Sequence, residues 1–317
     1  MAVFEQSLLD VRPEVAAALR EGRPVVALES TLIAHGLPWP VNLETAHAAE
    51  SAIREEGATP ATVAVWQGRP TIGLAPLEVD ELARSKTALK ASRRDLGVAV
   101  AQGRTAATTV AATMMLARKA GIRLFATGGI GGAHRLLERA SAADAWDISA
   151  DLIELGRTDV AVVCAGAKSV LDIPRTLEIL ETHGVPIIGY GTDQFPAFYL
   201  RSSGERITAR ADTPQQTAAI LNAHWVLGGA GLIIAQPVAQ SVALQPEEFA
   251  EALAQAERQA AADRIRGPAL TPYLLAVLAE LTGGKTIKAN QSLVIANAQL
   301  AARIAAALAG ADGHWIV

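Results

Sequence analysis

Short apolar runs bounded by glycine or proline recur along the chain, separated by longer stretches whose apolar residues fall at helical spacing. The strand-like runs are 24–30 (PVVALES), 62–66 (TVAVW), 70–74 (PTIGL), 96–101 (LGVAVA), 122–129 (IRLFATGG), 160–165 (VAVVCA), 185–191 (VPIIGYG) and 231–237 (GLIIAQP). Helices are expected over 43–56, 76–85, 107–120, 174–183 and 214–227. This alternation predicts parallel strands joined by crossover helices, with both faces of the sheet covered. The turn QGRP, between the second and third runs, predicts one local hairpin. After Pro237 the strands stop, and QPEEFAEALAQAERQAAADRI, TPYLLAVLAELTGG and NQSLVIANAQLAARIAAALAG read as three helices. The fold class expected is α/β: a three-layer α/β/α arrangement with a largely parallel central sheet and a helical C-terminal segment packed on it. No repeat, linker or composition break divides the chain, so one domain over 1–317 is expected.

Composition narrows the function classes. Half of the 317 residues are hydrophobic but only 4% are aromatic, a mix that suits closely packed helices on a buried sheet. A formal charge of -4 gives no sign of a nucleic-acid groove or an anionic membrane surface as partner. No uninterrupted apolar run reaches the roughly 18 residues of a spanning helix, and MAVFEQSLLDVRPEV carries acids where a signal peptide has its basic flank. A cytoplasmic protein is expected. The one cysteine, Cys164, lies inside a strand-like run and reads as a small core residue.

Ligands of open parallel sheets bind beyond the carboxyl ends of the strands, so the residues standing there matter. The first run ends in Glu29 and Ser30, with Thr31 and His35 beyond; 122–129 ends in Thr127 and leads through GGIGG to His134 and Arg135. The run at 160–165 leads through Gly166 to Lys168 and Ser169, and 185–191 to Thr192 and Asp193. A carboxylate, an amine, a glycine-rich turn and several hydroxyls thus converge on one rim. Glu29 and Lys168 have a plainer use as solvated strand-end charges, and the glycines suit a phosphate or a close backbone approach. The turn lacks the downstream acid on a second strand that a dinucleotide ribose would need. Lys90, Arg93 and Arg94 in LKASRRD, beside the hydroxyl-rich helix start RTAATTV, suit a phosphate or form a solvated basic loop. In WDISADL, Asp147, Ser149 and Asp151 suit a helix cap or a hard-metal site with waters completing the shell. No His/Cys cluster has zinc spacing.

Seven segments in order resemble the pseudouridine-5'-phosphate glycosidase family over about Pro24 to Ala309: ALESTLIAHGLPWPVNLETA, LKASRRDLG, ATTVAATMMLA, FATGGIGGAHR, DISADL, VVCAGAKSVLDIPRTLEILETHGVPIIGYGT and LTGGKTIKANQSLVIANAQLA. The resemblance implies a homotrimeric α/β/α enzyme that needs Mn²⁺, with Mg²⁺ a partial substitute. It implies reversible conversion of pseudouridine 5'-phosphate and water to uracil and ribose 5-phosphate. Under it Glu29 is the proton donor, Lys168 the nucleophile and Asp147 the metal ligand. Lys90, Val110, Ser149, Ala150 and Asp151 contact substrate, and Asn290 is a further active-site residue. The connection from GGIGG to DISAD is longer than the family pattern, and no fused sugar kinase is expected in a chain of this length. The implied chemistry fits the amine: a carbon leaving group offers no heteroatom to protonate, so the two-carboxylate route of ordinary glycosidases is closed. A lysine that captures the opened sugar as an imine provides another path. Two other readings share part of this site, a lysine Schiff-base aldolase acting on a sugar phosphate and a non-catalytic sugar-phosphate sensor.

Overall fold

The computed structural model describes residues 8–135 and 146–311. The chain opens with β1 (Asp10–Val11), α1 (Pro13–Arg20), β2 (Val25–Leu28), a π-helical turn (Leu32–Gly36) and α2 (Val41–Glu55). Then come β3 (Thr59–Trp66), β4 (Arg69–Ile72), α3 (Pro76–Arg84), β5 (Leu89–Ala91), α4 (Leu96–Ala101), β6 (Ala106–Thr108) and α5 (Val110–Lys119). The middle holds β7 (Leu124–Ala126), β8 (Ala133–His134), α6 (Ala150–Leu155), β9 (Ala161–Cys164), β10 (Leu171–Asp172) and α7 (Ile173–Thr182). The last part holds β11 (Ile187–Tyr190), β12 (Ala209–Ala211), α8 (Pro214–Val226), β13 (Leu232–Ala235), α9 (Pro246–Ala262), α10 (Leu270–Leu281) and α11 (Lys285–Ala311).

One eleven-stranded sheet runs in the order β1-β4-β3-β2-β7-β9-β13-β11-β12, with β6 on β3 and β5 on β6. From β3 to β12 every neighbour is parallel. The centre explains why the runs are continuous rather than alternating: every residue of β2, β9 and β13 is buried, because helices cover both faces. On one face α11 packs against α2 and α8 and crosses β2, β7 and β9; on the other, α5 lies across β2 and β3 and packs against α6. This is a three-layer α/β/α fold. The helical C-terminal segment is part of it, through α11. Among the described residues one stretch, Lys285–Gly310, is long and apolar enough to cross a membrane, and half of its 18-residue apolar window is buried inside the protein.

The expected hairpin is present. β3 pairs with β2 along Thr59–Thr62 and antiparallel with β4 along Val63–Trp66. Gln67 and Gly68 close it with φ of 48° and 80°, the double left-handed geometry that matches strand twist. One expectation is overturned: LGVAVA is α4, not a strand. Ser92 donates its backbone N–H to Asp95, starting a helical turn just ahead, and the buried residues Leu96 and Ala99 are three apart while Val98 is exposed. The helix expected over 107–120 begins only at Val110, because 106–108 pair as β6.

Candidate active site

Lys168 follows β9 by four residues, on backbone clamped from both sides. Gly166 has φ 80°, and a Cβ there would lie 1.9 Å from the Pro196 carbonyl oxygen, so only glycine lets the chain pass. Lys168 donates its backbone N–H to Ile130 (3.1 Å). Beside it Ser169 donates its hydroxyl to the Ala197 carbonyl (2.8 Å) and accepts from the Tyr199 N–H (3.1 Å). The lysine side chain is half-buried and lines a cleft of about 910 Å³. Cys164 behind it is fully buried, and burial pushes its thiol up to about 12, leaving a core residue and no nucleophile.

Glu29 stands one residue past β2 on the same cleft. Its side chain faces the cleft but is otherwise enclosed by protein, and that burial raises its pKa above the usual carboxylate value. The Lys168 charge and the Thr127 hydroxyl, which donates to Glu29 Oε1, oppose the rise without cancelling it. Thr127 is itself held by Asn297, buried in the middle of α11, whose amide donates to the carbonyls of Thr127 (2.8 Å) and Gly128 (3.4 Å). Asn297 is therefore a positioning residue acting on Glu29 through Thr127. Asn297→Leu strips two buried carbonyls of their donor and should cost roughly 1–3 kcal/mol of stability. It should also move the alkaline limb of kcat/KM to higher pH, because Glu29 loses a hydrogen bond that favours its charged form. A lower melting temperature with an unmoved pH profile would reduce Asn297 to a packing role.

The structure brings Glu29, Lys90, Val110, Asp147, Ser149, Ala150, Asp151 and Lys168 around this one cleft. Asn290 is not among the lining residues. It lies buried in α11 beneath Gly128, its Oδ1 3.3 Å from where a Cβ of that glycine would be and without a protein partner. Lys90 projects from β5. It keeps solvent contact across the open cleft, yet its pKa is lowered, first by desolvation and then by the like charge of Lys168, against the pull of Glu29 and Asp151. Of the basic cluster, Arg93 is anchored on the buried Glu154 (2.7 and 2.8 Å) while Arg94 is 83% exposed. Thr109, ahead of α5, lines the cleft with a buried hydroxyl that has no protein partner.

The DISAD segment divides its labour. Ser149 is the N-cap of α6 and accepts from the Asp151 N–H (3.2 Å). Asp151 is buried, and both its oxygens are taken, by the N–H groups of Ala111 (3.0 Å) and Gly131 (2.9 Å). A Cβ on Gly131 would lie 2.3 Å from Ser149 Oγ and 2.8 Å from Asp151 Oδ2. The glycine turn therefore serves to seat this acid against the backbone. Asp147 is not the cap of α6, and it stands half-exposed on the cleft wall. Among the described residues no three His, Cys, Asp or Glu side chains gather as a metal cage. A lone carboxylate beside an open, wet cleft fits a hard divalent ion that keeps most of its waters, and does not fit zinc.

His134 also lines the cleft, and only its position after the glycines marked it in the sequence. Its Nε2 lies 3.2 Å from Thr271 Oγ1 of α10, and its buried Nδ1 has no protein partner. Burial lowers its pKa; Asp147 pulls the other way, and Lys168 and Lys90 reinforce the lowering. The longer connection that follows it includes 136–145, outside the described residues.

An enclosed acid and a lysine on one cleft, at the carboxyl ends of parallel strands, define an α/β enzyme-type site. Residues 14–307 match the family described as Indigoidine synthase A like protein. The chain is 52% identical over 301 residues to a pseudouridine-5'-phosphate glycosidase of Herpetosiphon aurantiacus, covering 95% of this chain and 98% of that one. It is 51% identical over 301 residues to the enzyme of that name from Caldanaerobacter subterraneus, covering 95% and 96%. The crystal structure of the prealnumycin C-glycosynthase AlnA in complex with ribulose 5-phosphate superposes with a TM-score of 0.88 at 39% identity, covering 97% of this chain and 99% of that one. An indigoidine synthase A-like protein of Thermotoga maritima superposes at 0.85 with 33% identity, covering 95% and 97%. The chain belongs to the pseudouridine-5'-phosphate glycosidase family.

Proposed function

We propose that this protein reversibly cleaves the carbon–carbon glycosidic bond of pseudouridine 5'-phosphate, giving uracil and ribose 5-phosphate. The observation that carries the proposal is the pairing of Glu29, whose pKa burial raises, with Lys168 on one cleft. The family membership and the C-glycosynthase likeness support the same reading. Glu29 gives its proton to the ribose ring oxygen, and the C1'–O bond opens with its electron pair going to that oxygen. The Lys168 amine adds to C1' and loses a proton, forming a secondary amine. The proton released by the amine is taken up at uracil C5, and the C1'–C5 bond breaks, its electrons staying on C5 while the nitrogen lone pair forms an iminium. Water adds to C1', the amine leaves, and the freed aldehyde closes to ribose 5-phosphate. Lys90 and Arg93 supply cationic charge for the phosphate end. Incubating the protein with ribose 5-phosphate, uracil and Mn²⁺ tests the function: pseudouridine 5'-phosphate should form. An aldol product, or sugar-phosphate binding without chemistry, would favour the aldolase or sensor readings.

In the same proposal Asp147 would hold Mn²⁺, with Mg²⁺ partly substituting, and the bound ion would neutralise negative charge on the substrate. Because Ser149 and not Asp147 caps α6, Asp147→Ala should change stability by no more than about 0.5 kcal/mol. It should abolish the Mn²⁺ binding heat in calorimetry along with the metal dependence of turnover. Unchanged metal binding in this variant would take the ligand role away from Asp147. Assembly as a homotrimer and a cytoplasmic location rest on the family likeness.

A further inference from the structure

Arg93, Arg94 and Arg157 line the cleft, and they are held very differently. Arg94 and Arg157 are exposed, and the nearest ion-pair partner of Arg94 is Asp95 at 3.5 Å. Arg93 is 44% exposed but is tied to Glu154, whose side chain is 2% exposed. Both Glu154 oxygens accept from one nitrogen of Arg93, Nη1. Nε and Nη2, which together form the side edge of the guanidinium, have no protein acceptor among the described residues. That edge is a pair of parallel N–H donors, the shape a phosphate takes in a bidentate grip. Glu154 is itself fixed. It sits on α6 one turn after Asp151, and its Oε1 also accepts the Thr158 hydroxyl at 2.5 Å.

We propose that Glu154 is a positioning residue that holds Arg93 with its free edge ready for the substrate's 5'-phosphate, and so sets the preference for a phosphorylated nucleoside. The inference rests on the function proposed above. A long side chain that must be ordered when ligand arrives costs affinity, and one already ordered does not. Glu154 is an acid, but it is buried while Arg93 is half-exposed, so a phosphate entering the cleft meets the cation first. Lys90 adds charge without this geometry, because an ammonium is a point charge on a flexible stem. The plainer role for the pair is to neutralise a buried acid. That role predicts lost stability and no effect tied to the phosphate.

The test compares pseudouridine 5'-phosphate with pseudouridine as substrates of wild type, Glu154→Gln, Arg93→Ala and the double variant. Glu154→Gln keeps the shape and leaves Arg93 a single neutral acceptor. It should lower the ratio of kcat/KM for the phosphorylated over the unphosphorylated substrate by about five- to tenfold, chiefly by raising KM for the former. The double variant should show the same ratio as Arg93→Ala alone, because Glu154 acts through Arg93. Thr158→Val, which spares Glu154 and removes its hydroxyl donor, should move the ratio the same way by about two- to threefold, and it decides the matter if Glu154→Gln does not fold. Calorimetry with ribose 5-phosphate needs no turnover, and its affinity should fall in Glu154→Gln by the same factor as the ratio. A loss shared equally by both substrates, a further loss in the Arg93→Ala background, or unchanged ribose 5-phosphate affinity overturns the assignment. Wild type inert toward pseudouridine 5'-phosphate would sink the functional proposal instead, and ribose 5-phosphate binding alone would then decide for or against Glu154.

Discussion

Lys168→Ala should fold normally and turn over pseudouridine 5'-phosphate slower than wild type by on the order of 10⁴-fold or more, with substrate affinity nearly kept. The size of the effect follows from the role. Without an amine at C1' nothing accepts the opened sugar, and the carbon–carbon bond has no electron pair to expel it. Normal folding follows from the structure, because the clamps at this site are made by the backbone of Lys168 and the side chain of Ser169. Lys90→Ala is the necessary comparison, since Lys90 is a second amine on this cleft and its pKa is lowered by desolvation. Steady-state kinetics of both variants separate the roles: Lys90→Ala should chiefly raise KM. If Lys90→Ala instead abolishes turnover while Lys168→Ala keeps it, the nucleophile is Lys90.

Glu29→Gln should lower kcat by about 10²–10⁴-fold, the usual loss for a general acid. The pH dependence has a definite sign. A donor acts in its protonated form, so wild-type kcat/KM should fall as pH rises through the raised pKa of Glu29, and the variant should lack that limb. Stability changes in the opposite direction. A carboxylate whose folded-state pKa is raised contributes stability below its unfolded pKa and loses it as pH rises through the folded value. Neutral glutamine suffers no such loss, so Glu29→Gln should melt higher than wild type at neutral and alkaline pH and gain nothing at acid pH. Thermal melts across pH alongside kinetics check both signs. A variant less stable than wild type at every pH would contradict the burial of an acid there.

Much of this was legible in the sequence, and the misreadings have identifiable causes. The central strands declared themselves because both their faces are buried, which leaves unbroken runs such as VVAL and LIIA. LGVAVA has the same composition but belongs to a helix, since the deciding signal was the Ser92–Asp95 cap and not the apolar run. β5, β6 and β12 are three residues each, too short for any periodicity. The rim residues Glu29 and Lys168 could be read because strand ends can be read. Asn297 could have been suspected, as it lies seven residues after Asn290 on an apolar helix, and two such amides share the inward face of α11. Thr127 could not, because a buried threonine at a strand end looks like any other until its partner is known. The glycines of GGIGG suggested a phosphate or a close backbone approach, and what approaches Gly131 is the protein's own Asp151.

The central claim is that Lys168 bonds to the sugar, and chemical trapping tests it most directly. Wild-type protein incubated with ribose 5-phosphate and reduced with borohydride should carry one added sugar phosphate, and peptide mass spectrometry should place it on the peptide containing Lys168. Unmodified protein from a preparation that turns over pseudouridine 5'-phosphate, or a label on Lys90 with Lys168 untouched, would contradict it.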